Sequence, residues 1–176
     1  MKKIVIASGK GGTGKTTISI GLHQLIKSNI NPSTILYDFD VEVPNDQLFY
    51  NELELKKTSS ITVPIPKINA ENCTFCGKCK AHCNFNAITL IPKADIAEVS
   101  KDLCHSCGAC VVVCKDNAIT ELNHHIGEIN EFGENGNIIL KEGRLEVGLP
   151  HQTALIRQMK KFHIKDDQIA ILDAPP

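Results

Sequence analysis

Ser8-Gly9-Lys10-Gly11-Gly12-Thr13-Gly14-Lys15-Thr16-Thr17 follows a short apolar run, Ile4 to Ala7, and opens a helical pattern. Its glycines permit left-handed backbone and close approach, so successive N–H groups can converge on phosphate oxygens at the start of a helix. Gly9 through Thr16 meet the spacing G-x-x-x-x-G-K-[ST]. In that pattern the backbone of Gly9, Gly11, Gly12, Thr13, Gly14 and Thr17 cradles phosphates, Lys15 reaches the β- and γ-phosphates, and Thr16 ligates Mg²⁺. A glycine-rich loop without nucleotide is the alternative, and the strand-loop-helix setting argues against it.

Outward from the loop, Lys3 to Ala7 reads as a central parallel strand buried on both faces. From Thr16 to about Ser28, Ile18, Leu22, Leu25 and Ile26 form one apolar stripe at helical spacing. Asn29 to Pro32 ends that helix, and Thr34 to Asp40 (TILYDFD) reads as a second strand whose end carries Asp38 and Asp40. Strand, loop, helix and strand in this order predict a parallel α/β sheet. Near the other end, Glu134-Asn135-Gly136 marks a hairpin turn. His151 to Lys161 reads as a helix with Leu155, Met159 and Phe162 on one face. Gln168 to Asp173 reads as a buried strand ending in an acid.

The chain of 176 residues, 42% hydrophobic, suits one soluble domain or a domain carrying a small insert. Nineteen basic against twenty acidic residues leave a net charge of −1, which gives no global field favouring nucleic acid or anionic lipid. Residues 1 to 30 lack a signal-peptide pattern, and no apolar run has the length of a membrane span. The cytoplasm is therefore the expected location. Eight cysteines in such a protein point to metal or redox chemistry rather than disulfides.

All eight cysteines lie in an internal repeat: CTFCGKCKAHCNFNAIT (73 to 89) matches CHSCGACVVVCKDNAIT (104 to 120) at a shift of 31 residues. Each half has the run C-x2-C-x2-C-x3-C used by bacterial two-cluster ferredoxins, in which the fourth cysteine crosses to the other cluster. That assigns Cys73, Cys76, Cys79 and Cys114 to one 4Fe-4S cluster, and Cys104, Cys107, Cys110 and Cys83 to a second. Zinc is the competing metal, but four ligands per ion leave the matching third and fourth cysteines of both halves unexplained. Ferredoxin runs usually place proline after the fourth cysteine; here Asn84 and Lys115 stand there. His82 and His105 are expected beside the clusters rather than as ligands, Phe75 and Phe85 as packing or shielding, and His124-His125 shows no ligand spacing. Thr89 to Val99 should form short strands between the loops.

Lys10 extends the phosphate loop to KGGTGKT (10 to 16), which resembles the deviant phosphate-loop motif of the MinD/ParA class, to which the nitrogenase iron protein also belongs. The resemblance implies an ATPase that dimerises on ATP, with Lys10 contacting the partner's nucleotide. DFD (38 to 40) is similar to the class's switch motif, implying that Asp40 positions the attacking water while Asp38 supports Mg²⁺ from outside its coordination shell. ILDAPP (171 to 176) looks like the strand whose Asp173 holds Mg²⁺ through water. DVEVPN (40 to 45), the place of the insert and GRLEVGLPHQTALIRQMK (143 to 160) are most similar to MinD-superfamily ATPases containing an inserted ferredoxin domain.

The fold expected from this resemblance is α/β, a phosphate-loop NTPase sheet incomplete at its C-terminus, with an inserted α+β bacterial-type ferredoxin domain. Residues 1–60 and 124–176 would form the ATPase and 61–123 the insert. Members of the group continue past the Asp173 strand, so an N-terminal fragment with an exposed apolar sheet edge is expected. The implied function is ATP hydrolysis coupled to electron transfer toward a redox partner protein. An iron-sulfur carrier is the alternative, and a plain ferredoxin on a degenerate ATPase scaffold a third.

Overall fold

A computed structural model describes residues 2–31, 33–134, 136–161 and 166–175. The elements are β1 (Lys2–Ile6), α1 (Lys15–Asn29), β2 (Thr34–Asp38), β3 (Glu54–Ile68), α2 (Lys78–Ala81), β4 (Ile88–Ile91), β5 (Ile96–Val99), α3 (Ala109–Val113), β6 (Ile119–Glu134), β7 (Asn137–Leu145), α4 (Gln152–Met159) and β8 (Ile169–Asp173). They divide into two compact units, with the chain passing between them inside β3, inside β6 and at either end of residues 147–151, between β7 and α4.

The sheet unit comprises residues 1–61, 127–146 and 152–176. Strands of the larger sheet run in the order β1-β8-β2-β7-β6-β3. β1, β8, β2 and β7 pair in parallel, and β6 joins β7 antiparallel. This mixed α/β fold with a mostly parallel sheet suits a phosphate-loop NTPase. Leu36, Leu140 and Ile171 from three adjacent strands are fully buried with Ile20 and Ile26 of α1 and Phe132 of β6. Burial at about 1.5–3 kcal/mol for each such side chain fixes α1 against the sheet. On the flank formed by α4, a Cβ on Gly143 would stand 2.5 Å from Met159 Sδ and 2.7 Å from Val41 Cγ1, so this position admits only glycine without repacking.

Three expectations change. β1 is not a central strand: it lies at a sheet edge, and Val5 is 60% exposed. An apolar run shows that faces can be covered, not which strands flank it. Second, the buried face of α1 is Ser19, Ile20, His23 and Ile26, while Ile18 and Leu25 are exposed. Polar Ser19 and His23 can occupy that face because both find partners there. Third, β3 is a 15-residue strand through a stretch without a clear signal in the sequence. It tolerates Pro64 and Pro66 as the last strand of its sheet, where a missing N–H need not break a ladder. In α4, Leu155 and Met159 are buried as expected; Phe162 lies outside the described residues, as does Asn135 of the expected turn.

The cysteine unit spans 62–126 and 147–151. β4 and β5 form an antiparallel pair, and Ile68, Ile88, Ala97 and Ile119 pack with Cys79 and Cys110 in its core. The repeat is visible in the backbone: Phe75 and Ser106 have φ of 53° and 51°, Gly77 and Gly108 76° and 73°, Asn86 and Asn117 53° and 50°.

Candidate functional site

Gly14, with φ of 85°, turns the phosphate loop into α1. The Ser8 hydroxyl donates to the Lys10 carbonyl at 2.8 Å and lies 2.7 Å from the Thr13 hydroxyl, bracing the loop from within. Lys15 Nζ donates to the same carbonyl at 3.4 Å. Lys10 and Thr17 are exposed. Behind the loop, Asp173 Oδ2 accepts from the Thr16 hydroxyl at 2.8 Å and Oδ1 from the Ser19 hydroxyl at 2.9 Å.

Register explains the grouping. Asp173 of β8 pairs with Asp38 of β2, and Asp38 with Glu142 of β7, so three acids stand side by side at one sheet level. In parallel α/β sheets this C-terminal end of the strands is where ligands bind. The Asp38 carboxylate accepts backbone N–H groups of Asp40 (2.9 Å), Asn45 (2.9 Å) and Asp46 (3.2 Å), so it folds the segment after β2 around itself. Burial pushes its carboxyl up to about 6, against the pull of those N–H groups and with help from nearby Asp173. Asp40 is half-buried beside it.

Asp46 is fully buried, and neither carboxyl oxygen has a hydrogen-bond partner among the described residues. Burial, then Asp38, Asp173, Glu142 and Asp40 in turn, pushes its carboxyl up to about 9. One turn further along α1, His23 Nε2 lies 3.1 Å from the Thr34 carbonyl and Nδ1 2.6 Å from the Tyr50 hydroxyl. Nε2–H therefore donates to the carbonyl and Nδ1 accepts from tyrosine, a neutral ring whose burial lowers its pKa to about 4.

In the cysteine unit, two small cavities are each lined by four cysteines: Cys73, Cys76, Cys79 and Cys114 at the first, and Cys83, Cys104, Cys107 and Cys110 at the second. Each set takes three thiols from one loop and the fourth from the other half of the repeat. All eight are free. Among the described residues no three His, Cys, Asp or Glu side chains are grouped to hold a metal ion. Cys76 is exposed and its thiol is pulled down, chiefly by the Lys78 N–H, while burial raises Cys79 and Cys104 and pushes Cys110 up to about 11.

Residues 4–165 match the CobQ/CobB/MinD/ParA nucleotide binding domain family. The chain belongs to that family. It is also similar to an uncharacterized protein of Methanocaldococcus jannaschii, 41% identical over 86 residues, which is 49% of this chain and 30% of the relative's length. No described helix is long and apolar enough to cross a membrane.

Among the residues singled out in the sequence, the structure brings Thr16 to Asp173 and sets Asp38 in register with it, and it gathers the cysteines around their two cavities. It places Lys10 and Asp40 near the same strand ends without a bond between them and Thr16 or Asp173. Ser19, Asp46 and Glu142 escaped the sequence reading. Ser19 had a signal, a hydroxyl three residues after Thr16 and so on the same helix face; Glu142 and Asp46 depend on register and loop path.

Proposed function

We propose that this protein is an ATPase whose nucleotide state is coupled to electron transfer through two 4Fe-4S clusters. The observation that carries the cluster half of this reading is the pair of cavities, each lined by four free thiols with one cysteine crossed from the other half. Four thiols at each cavity, with the third and fourth cysteines of both halves in use, suit a pair of polynuclear clusters better than zinc. A bound cluster supplies reversible one-electron storage.

The nucleotide half draws on the family and the loop. Loop N–H groups from Gly9 to Thr16 and the Lys15 ammonium hold the β- and γ-phosphates. Thr16 and Asp173, already bonded to each other, form the Mg²⁺ side of the pocket, with Ser19 orienting the carboxylate. Bound Mg²⁺ neutralises charge on the transferred phosphoryl group. Asp40 positions the attacking water, and Lys10 reaches the nucleotide of a partner copy. Because Asp38 gathers the N–H groups of residues 40, 45 and 46, a change at the phosphates is passed to the segment that leads along the chain into β3. Coupling then requires that ATP and ADP favour different conformations of that segment.

In this reading residues 1–60 and 124–176 form the nucleotide-binding part and 61–123 the cluster-binding insert. The active form is a cytoplasmic homodimer serving a redox partner protein. The test is iron, acid-labile sulfide and ATPase rate measured on one anaerobic sample. About eight irons per chain, four for each cluster, are expected, with ATPase activity that Lys15→Ala removes. Zinc in place of iron, without labile sulfide, overturns the cluster assignment.

A further inference from the structure

The two cysteine sites share a backbone but not their surroundings, and the difference bears on the proposed clusters, on which this inference rests. At the shift of 31, Ala118, Ile119 and Ile68 of the first cavity correspond to Ala87, Ile88 and Val99 of the second, so the apolar lining is kept. Three positions that line both cavities are not kept. The first cavity has Thr74, Lys78 and Asp116 where the second has His105, Ala109 and Phe85.

These residues close the sites differently. Across the first, the Thr74 hydroxyl donates to Asp116 Oδ2 at 2.7 Å. Across the second, at the corresponding positions, Phe85 and His105 stack with centroids 3.8 Å apart and planes 19° from parallel. The first cysteine of each loop follows suit: Cys104 is buried at 7% exposure, whereas Cys73 is half-buried. Charge differs as well. α2 carries Lys78 and Lys80, while α3 reads Ala-Cys-Val-Val-Val. Glu121 Oε1 stands 3.9 Å from the Cβ position of Gly108 in the second site's loop, and its counterpart beside the first site is Leu90.

Each electron taken up adds one negative charge to a cluster held by four thiolates, so the potential follows how well the surroundings stabilise that charge. At the first site Lys78 and Asp116 offset one another, leaving a hydroxyl and a second lysine on α2. At the second, no lysine lines the cavity and Glu121 adds negative charge. We infer that the site of Cys83, Cys104, Cys107 and Cys110 holds the lower-potential cluster and the site of Cys73, Cys76, Cys79 and Cys114 the higher. One electron supplied by a strong one-electron reductant to the second site therefore passes to the oxidised cluster at the first, with no bond broken and no proton moved.

The test is a redox titration of the anaerobically reconstituted full chain, followed by electron paramagnetic resonance with dithionite as reductant, at about pH 8.5, where an ordinary imidazole is neutral. Two one-electron waves are expected, their potentials apart by at least about tenfold in electron partition, or roughly 59 mV. Lys78→Ala should lower the upper wave and leave the lower in place; Glu121→Gln should raise the lower wave alone. Both positions are exposed, so neither exchange opens the core. Coincident waves, or Lys78→Ala moving the lower wave, overturn the inference. Full iron content with the wrong order defeats this assignment alone, whereas a chain that takes up no iron defeats the cluster reading itself.

Discussion

At the phosphate loop the ligand-facing groups stand on a core that closes without them, whereas in the cysteine unit the ligand-facing thiols belong to the core. Leu36, Leu140 and Ile171 bury the sheet under α1 with no residue from Gly9 to Thr17 among them. In the smaller unit Cys79 and Cys110 are themselves core residues, packed with Ile68, Ile88 and Ile119. A site set on a finished core can lose its ligand and keep its fold; a site that is the core cannot.

On the proposed cluster reading, the largest effect should come from removing iron. Metal-binding free energy in a small unit is folding free energy, on the order of 10 kcal/mol for structural sites. Stripping the metal anaerobically with a chelator should abolish hydrogen-exchange protection in β4, β5, α2 and α3 while β2, β7 and β8 stay protected. Equal protection of both units after stripping would break the contrast. Next comes Lys15→Ala, expected to reduce ATP hydrolysis by about 10²–10³-fold, on the order of 4 kcal/mol in the barrier. Iron content and melting temperature should not change, because among the described residues the Lys15 ammonium bonds within its own loop.

Asp46 sharpens the comparison from the other side, as a cost carried by the sheet unit. Its carboxyl, raised to about 9 when folded, binds its proton more tightly in the folded chain than in the unfolded one. Its stabilising contribution is thus present in acid and is lost as pH rises from about 4 through 9. Asp46→Asn should remove that dependence and stabilise the metal-free protein by on the order of 3 kcal/mol at neutral pH. Urea unfolding across that range reads it directly; identical slopes for both proteins would contradict the assignment. The smallest effect is Tyr50→Phe, which leaves buried His23 Nδ1 without its donor and should cost about 1–2 kcal/mol by the same measurement.

Legibility in the sequence follows the same division. The strand-loop-helix start was readable because glycines, Lys15 and a switch from continuous to helical apolar spacing fall within thirty residues. The cysteine loops were readable because a repeat announces itself, and each of the two cavities is lined by three cysteines of one half and one of the other. What stayed hidden depends on neighbours far along the chain. Pro64 and Pro66 masked β3, since proline argues against a strand unless the strand is known to be an edge. Ser19 and His23 looked like the solvent face of α1 because the carboxylate and hydroxyl they meet come from residues 173 and 50. Glu142 carried no signal of its own; it is register that sets it beside Asp38.

The central claim, that nucleotide state and cluster state are linked, is tested most directly by the midpoint potentials of the iron-loaded protein with ATP, with ADP and without nucleotide. The account predicts that at least one potential shifts between the ATP and ADP forms, and that Lys15→Ala removes the shift while both clusters remain. Identical potentials in all three conditions, in a protein that hydrolyses ATP and carries its full iron, would contradict it.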